Sequence, residues 1–355
     1  MESLELTPTD WLGAPGTAKR YDSDYFSLVS GASEEVTRRA AVRVEQIYTA
    51  FARFLPPTVP DARPTVVYLA PDPEDYRKLL GPLGQEHLLN PAVFDPQTNR
   101  ILCGSDLRRL GTQLQSALIH HSQELATLSK YEAELRRVYR QPELERHLAV
   151  VSKERLRVIT TDRKNGAAFE KSASRLFAVL YHEAFHAYAS TFAYPPLSPA
   201  DVKAGKGAGA LPRWLNEGLA QVFETAVVET GELRVDHADE DRLGRVKKRL
   251  KESGSAALVP LGDLLAVGKD AFLAHHAAER AAADRAYLTS WALAYYLTLY
   301  RRVIGTDKFK QYLVAVNSGG DARQAFAALV GQDLPAFEKD WHQFLGRLQP
   351  DGTLR

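Results

Sequence analysis

Residues 182 to 186 read His-Glu-Ala-Phe-His, a pattern suited to binding a metal ion. Side chains four positions apart share one face of a helix, so His182 and His186 can both reach one tetrahedral Zn²⁺. Glu183 can reach a metal-bound water instead of the metal, which is the position of a general base. The alternative is a buried helix with two hydrogen-bonded histidines, but burying three polar groups in an apolar helix brings no packing advantage. We therefore expect a metal centre here.

Two histidines leave a catalytic zinc site one protein ligand short. A third histidine six residues after His186 would give the metzincin pattern, but Phe192 stands there. Further on, residues 212–224 read Pro-Arg-Trp-Leu-Asn-Glu-Gly-Leu-Ala-Gln-Val-Phe-Glu. HEAFH followed by WLNEGLAQVFE resembles the gluzincin metallopeptidases, and WLNEG is especially similar to the aminopeptidase N family.

A wider resemblance, to the bacterial peptidase-MA-like domains of unknown function, covers most of the chain outside residues 107–165. The segments that carry it are VVYLA, FDPQTNRI, YLTSWALAYYL and FEKDWHQFL. The gluzincin resemblance implies that Glu217 is the third ligand, and such a set leaves the fourth position for water. It also suggests Tyr287 as the group that stabilises the tetrahedral oxyanion, with Tyr295 or Tyr296 as alternatives.

Glu224 follows Glu217 by two helical turns and therefore returns to the same helical face. It could accept a hydrogen bond from the free ring nitrogen of His182 or His186 and so orient that ligand. The alternative for Glu224 is an exposed acidic residue without a role at the metal.

The sequence departs from the family pattern in two ways. The segment between His186 and Glu217 is long and carries a Gly-, Lys- and Pro-rich loop at residues 194–210, although a longer loop costs little extra closure entropy. The aminopeptidase motif GxMEN, whose glutamate holds the amino terminus of the substrate, is absent because the only methionine is Met1. We therefore expect an endopeptidase rather than an aminopeptidase.

The elements that must position these residues divide the chain into four segments. Residues 1–106 alternate strands (26–30, 64–70, 99–104) with helices (33–54 and one from 72). A strand from the first hundred residues is expected to flank the cleft and pair with an extended substrate. Residues 107–165 read as a helical arm, with a strand over 155–161 as the alternative. Residues 166–231 hold the metal-binding helix pair, the second helix running from 212 to about 230. Residues 232–355 are mostly helical. The predicted fold is α+β and, by the resemblance, zincin-like.

Composition limits the class of protein. The chain has 355 residues, of which 45% are hydrophobic and 25% charged, so a sizeable core is expected and disorder is not. A formal net charge of +1 argues against a nucleic-acid binder. The single cysteine, Cys103, excludes an intrachain disulfide and a cysteine-only zinc site. No apolar run is long enough to span a membrane.

The beginning of the sequence, MESLELTPTDWLG, lacks the apolar stretch of a signal peptide, so we expect none in this chain. An exported protein whose leader had been removed would read the same way, and the sequence leaves the compartment and the oligomeric state open.

Together these features predict a metallopeptidase with one Zn²⁺ per chain that acts on a peptide or protein substrate. His182, His186 and Glu217 bind the metal, Glu183 is the general base and Tyr287 stabilises the oxyanion. The alternatives are a structural or inactive zinc-binding scaffold of the same fold and a metallohydrolase that acts on something other than peptides.

Overall fold

A computed structural model describes residues 4–85, 90–104, 106–229, 232–235, 237–254, 257–266, 272 and 277–355. The predicted fold class is confirmed, because a mixed sheet occupies the amino-terminal part and the carboxyl-terminal part is mostly helical. Among the described residues, no helix is both long enough and apolar enough to cross a membrane.

The amino-terminal sheet has six strands. They are β1 (Thr7–Trp11), β2 (Ala14–Asp22), β3 (Phe26–Ser30), β4 (Thr65–Ala70), β5 (Ala92–Asp95) and β6 (Arg100–Gly104). Their order across the sheet is β1-β2-β3-β4-β6-β5. The three predicted strands are the central, parallel β3, β4 and β6, and β5 runs antiparallel to β6 at the edge.

Two helices connect these strands. Helix α1 (Glu34–Phe54) begins after Ser33, whose hydroxyl accepts a hydrogen bond from the N–H of Val36, and its apolar face is buried against the sheet core. Helix α2 (Pro73–Leu80) begins after Asp72, whose side chain accepts hydrogen bonds from two backbone N–H groups of the first turn. Both helices begin within a residue of where the sequence predicts them.

Helices α3 (Leu107–Val138) and α4 (Glu143–Tyr188) form the arm. They run antiparallel and are joined by ion pairs, such as Arg155 with Glu132 at 3.0 Å. Residues 155–161 are helical, so the alternative of a strand there is wrong. Helix α4 passes through the predicted boundary at residue 165 without a break, because no proline interrupts it. The arm and the two histidines His182 and His186 therefore share one helix.

The remaining helices follow α4 in the chain. They are α5 (Pro199–Lys203), α6 (Arg213–Glu224), α7 (Glu240–Arg249), α8 (Leu261–Ala266), α9 (Ala277–Tyr295), α10 (Asp307–Asn317), α11 (Ala322–Val330) and α12 (Leu334–Arg347). Among them, α6 packs directly against α4. Helix α6 is shorter than predicted: it ends at Glu224 because the chain turns into a strand pair, β7 (Val227–Glu229) with β8 (Glu232–Arg234). The predicted end near Thr230 lies outside the described residues.

One hydrophobic core joins the sheet, α1, the end of α4 and the helices that follow. It includes Phe26, Phe51, Phe185, Trp214 and Trp341, each almost completely buried. Helix α6 therefore lies between the sheet side of the core and the carboxyl-terminal helices, which fixes its position relative to α4.

Candidate metal centre

The structure brings together the three predicted metal ligands. His182 and His186 lie one turn apart near the end of α4, with ring centroids 4.8 Å apart. Glu217 comes from α6 and is almost completely buried. Its carboxylate oxygens lie 3.5 Å from Nε2 of His182 and 3.7 Å from Nε2 of His186. The three ligand atoms all lie within 4.8 Å of one another, so the group could hold a metal ion.

The distances within this group suit a tetrahedral metal ion. Bonds of about 2.0–2.2 Å place the ligand atoms of such an ion about 3.3–3.5 Å apart. The observed separations of 3.5 and 3.7 Å are close to that value and are long for hydrogen bonds. Two imidazoles and one carboxylate are also a donor set that Zn²⁺ accepts with an open fourth position.

The two histidines differ in their electrostatic surroundings. Burial lowers the pKa of His182, but the carboxylates of Glu217 and Glu224 beside its two ring nitrogens outweigh burial and raise it to about 9. Burial and the charge of His182 lower the pKa of His186 to about 4. Burial raises the pKa of Glu217, but the neighbouring histidines and Arg213 outweigh it, so the pKa is lowered.

Glu183 lies between this group and the edge of the sheet. Its Oε2 accepts a hydrogen bond of 2.8 Å from the backbone N–H of Phe94 in β5. Burial raises the pKa of Glu183, against the opposing effects of His182 and of this hydrogen bond. A carboxylate with a raised pKa is well suited to accept a proton. The strand beside Glu183 is β5, a short run that was not among the strands predicted from the sequence.

Glu224 lies beside His182. Its Oε2 is 3.4 Å from Nδ1 of His182 and accepts a hydrogen bond of 2.9 Å from Nη2 of Arg242 in α7. Arg242 also donates to the carbonyl of Gln221 at 3.1 Å. The structure thus places Glu224 where it can orient one ligand, and it adds Arg242, which sequence reasoning missed.

The other histidine has a different neighbour. Nδ1 of His186 and Oδ1 of Asn216 are both buried without a well-formed hydrogen bond, yet the Asn216 side chain favours the protonated form of His186. Asn216 therefore lies beside the outer nitrogen of His186. Its place immediately before Glu217 in the sequence is the only signal that could have drawn attention to it.

Tyr287 projects from α9 toward the same group. Its hydroxyl is 3.5 Å from the carbonyl of Phe272, and its ring packs edge-on against the Phe272 ring. Burial raises the pKa of Tyr287, and the charges of Glu217 and Arg213 also act on it. Tyr295 and Tyr296 are the alternatives to Tyr287 as the group that stabilises the oxyanion. They differ from Tyr287 because they are almost completely buried in the core.

Comparison with known proteins identifies one similarity. The model of a family described as "Protein of unknown function (DUF1570)" matches residues 198–315, which are 118 (315 − 198 + 1) of the chain's 355 residues. The matched part contains Glu217 and Tyr287 but begins after His182 and His186. No curated protein and no solved structure matches the chain.

Proposed function

We propose that this protein is a zinc-dependent peptidase of the gluzincin type, and that it acts as an endopeptidase. The observation that carries the proposal is the convergence of His182, His186 and Glu217 from two helices, with the Glu183 carboxylate beside them at a sheet edge. A structural zinc site has no need of a buried carboxylate that is not a ligand, whereas hydrolysis needs a base at that position.

The role of each residue follows from its contacts. His182, His186 and Glu217 would hold the ion, and a bound Zn²⁺ supplies a Lewis acid that polarises a carbonyl and lowers the pKa of water toward about 7. Glu183 accepts the proton of the attacking water and passes it to the leaving amine. Tyr287 donates a hydrogen bond to the oxyanion that forms on the substrate carbonyl.

The edge strand supports a peptide as the substrate. Among the described residues, strand β5 pairs with β6 alone, and it contacts α4 on the side of Glu183. An extended peptide can add to such an edge through main-chain hydrogen bonds, which would place a peptide bond beside Glu183. Because strand pairing does not require a free amino terminus, this mode of binding favours an endopeptidase.

The test combines metal analysis with cleavage of a peptide library by the wild-type protein and two variants. We expect the wild type to bind one zinc ion and to cut peptides. Glu183→Gln should keep zinc and cut about 10²–10⁴-fold more slowly, because the base is lost. Glu217→Ala should lose zinc. Glu240→Gln, an exposed change on α7, is the control and should match the wild type.

Other outcomes would select an alternative. Zinc binding without cleavage of any peptide would contradict the peptidase proposal, and a panel of small esters and amides would then separate another metallohydrolase from a structural site. Equal cleavage by Glu183→Gln would contradict the role of the base.

A further inference from the structure

Arg213 is a cation at the metal group that the proposed function does not use. It is the first residue of α6, one helical turn before Glu217, and its Nη2 lies 2.7 Å from Oε1 of Glu217. The Arg213 side chain is 40% exposed, whereas that of Glu217 is 3% exposed. The guanidinium therefore lies on the solvent side of the ligand, where a substrate would enter.

The charge of Arg213 reaches the other groups of the site. It acts on the pKa of Glu183, His186 and Glu217 in the direction expected of a nearby cation. Burial raises the pKa of Tyr287, whereas the charge of Arg213 acts to lower it, so the two side chains lie near each other.

We propose that Arg213 contacts the substrate and that its guanidinium, together with the Tyr287 hydroxyl, binds the carbonyl oxygen of the scissile peptide bond as that oxygen gains negative charge. This inference rests on the proposed function. It adds a second donor to the oxyanion, from a residue whose type and position no motif identified.

The geometry of a guanidinium fits this role. Its five N–H donors form a rigid planar fork, so the contact with Glu217 leaves donors for a second acceptor. The buried Glu217 carboxylate fixes one end of the fork before substrate arrives, and a donor fixed in advance stabilises a transition state without the cost of reorganisation.

The experiment uses the zinc-loaded full chain, the peptide that the wild type cuts fastest from the library, and the phosphinic analogue of that peptide. Arg213→Met should lower kcat about 10²–10³-fold, the usual loss for one oxyanion donor. KM and the zinc dissociation constant, measured against a chromophoric chelator, should change less than about tenfold, because the metal ligands remain. The phosphinic analogue carries a tetrahedral anion and should bind more weakly by about the same factor as kcat/KM falls.

Three further measurements separate substrate contact from a structural role. Arg213→Lys should restore part of the lost kcat, and guanidinium ion added to Arg213→Ala should restore part as well, because the missing group is supplied from solution. Arg136→Met removes an arginine that forms an ion pair at the same helical spacing in the arm, and it should behave like the wild type.

Two outcomes would overturn the inference. If Arg213→Met cuts as fast as the wild type, or if its activity falls only in proportion to lost zinc, Arg213 does not contact the substrate although the peptidase proposal stands. If the wild type neither cuts peptides nor binds the phosphinic analogue, the proposed function fails and the role of Arg213 fails with it.

Discussion

His182 at the candidate metal centre has a second group behind it, from an element other than its own, and His186 has Asn216 nearby. Glu224 of α6 and Arg242 of α7 follow His182 in a chain of contacts at 3.4 and 2.9 Å. Asn216 of α6 lies beside His186. Such partners fix the orientation of an imidazole and raise its basicity as a ligand. The arrangement therefore favours a fixed site over an adaptable one.

At this scale we predict that Glu224→Ala weakens zinc binding about 10–100-fold. The variant removes the acceptor from Nδ1 of His182 and leaves Arg242 without its carboxylate. The measurement is the zinc dissociation constant by competition with a chromophoric chelator. Glu240→Ala, an exposed change on α7, serves as control and should leave the constant unchanged. An unaltered zinc affinity in Glu224→Ala would show that His182 is oriented without it.

The sequence predicted that His182 and His186 lie together, because a helix converts a spacing of four into a shared face. It could not locate Arg213 or Arg242, since most arginines in any sequence lie on the surface and long-range contacts leave no local pattern. Arg213 had one weak signal, its spacing of four from Glu217. Arg242 had none, because its contact with Glu224 depends on how α7 packs against α6.

At the scale of elements, α6 and α9 approach each other very closely. Gly218, next to the ligand Glu217, makes this possible: a Cβ atom at that position would lie 2.4 Å from the carbonyl oxygen of Ser290 and 2.8 Å from Cβ of Ala294. Because the first of these atoms belongs to the backbone, it cannot move aside without shifting α9. The close contact between α6 and α9 also fixes the position along α4 at which Glu217 lies.

We predict that Gly218→Ala lowers the free energy of unfolding by roughly 1–3 kcal/mol, the usual cost of overpacking. It should also weaken zinc binding, because relief of the clash displaces Glu217. Urea denaturation and chelator competition measure the two effects. The matched control is Gly244→Ala in α7, where a Cβ atom meets nothing within 4 Å. That change should be stabilising by up to about 1 kcal/mol, since alanine favours the helix. Equal stability of the two variants would contradict the packing argument.

Which elements the sequence could predict depended on burial. The central strands β3, β4 and β6 are apolar and β-branched, and they were identified within a residue or so. Strand β2 was missed because most of its side chains are exposed and polar, so hydrophobic alternation is absent. Strand β5 was missed because it has only four residues. The edge strand beside Glu183 thus became visible only in the folded chain.

At the scale of the molecule, the arm stands outside the main core. Among the described residues, no fully buried member of that core lies between Cys103 and Ala173. The arm has its own few buried residues, among them Leu135, Val151 and Val158. Its two helices therefore stabilise each other, and the rest of the chain does not depend on their outer turns.

We accordingly predict that the outer arm can be removed. His121 and Asp162 form a hydrogen bond between α3 and α4 and so mark the same height in the hairpin. Replacing residues 122–161 with a short Gly-Ser turn should leave a folded protein that binds zinc with an affinity within about threefold of the wild type, since no ligand or partner of a ligand is removed. Circular dichroism on heating and chelator competition provide the measurements. Loss of a cooperative transition would mean that the outer arm supports the core after all.

One unbroken helix carries both the arm and the two histidines. The length of α4 between them therefore sets the direction in which the arm points relative to the histidines. Each residue added to α4 between the arm and His182 would turn the whole arm by about 100° around the helix axis and advance it by about 1.5 Å. Changes of length are therefore tolerated at the hairpin tip, where both helices can grow by equal amounts. A change of length elsewhere in α4 would alter the direction in which the arm points relative to the candidate metal centre.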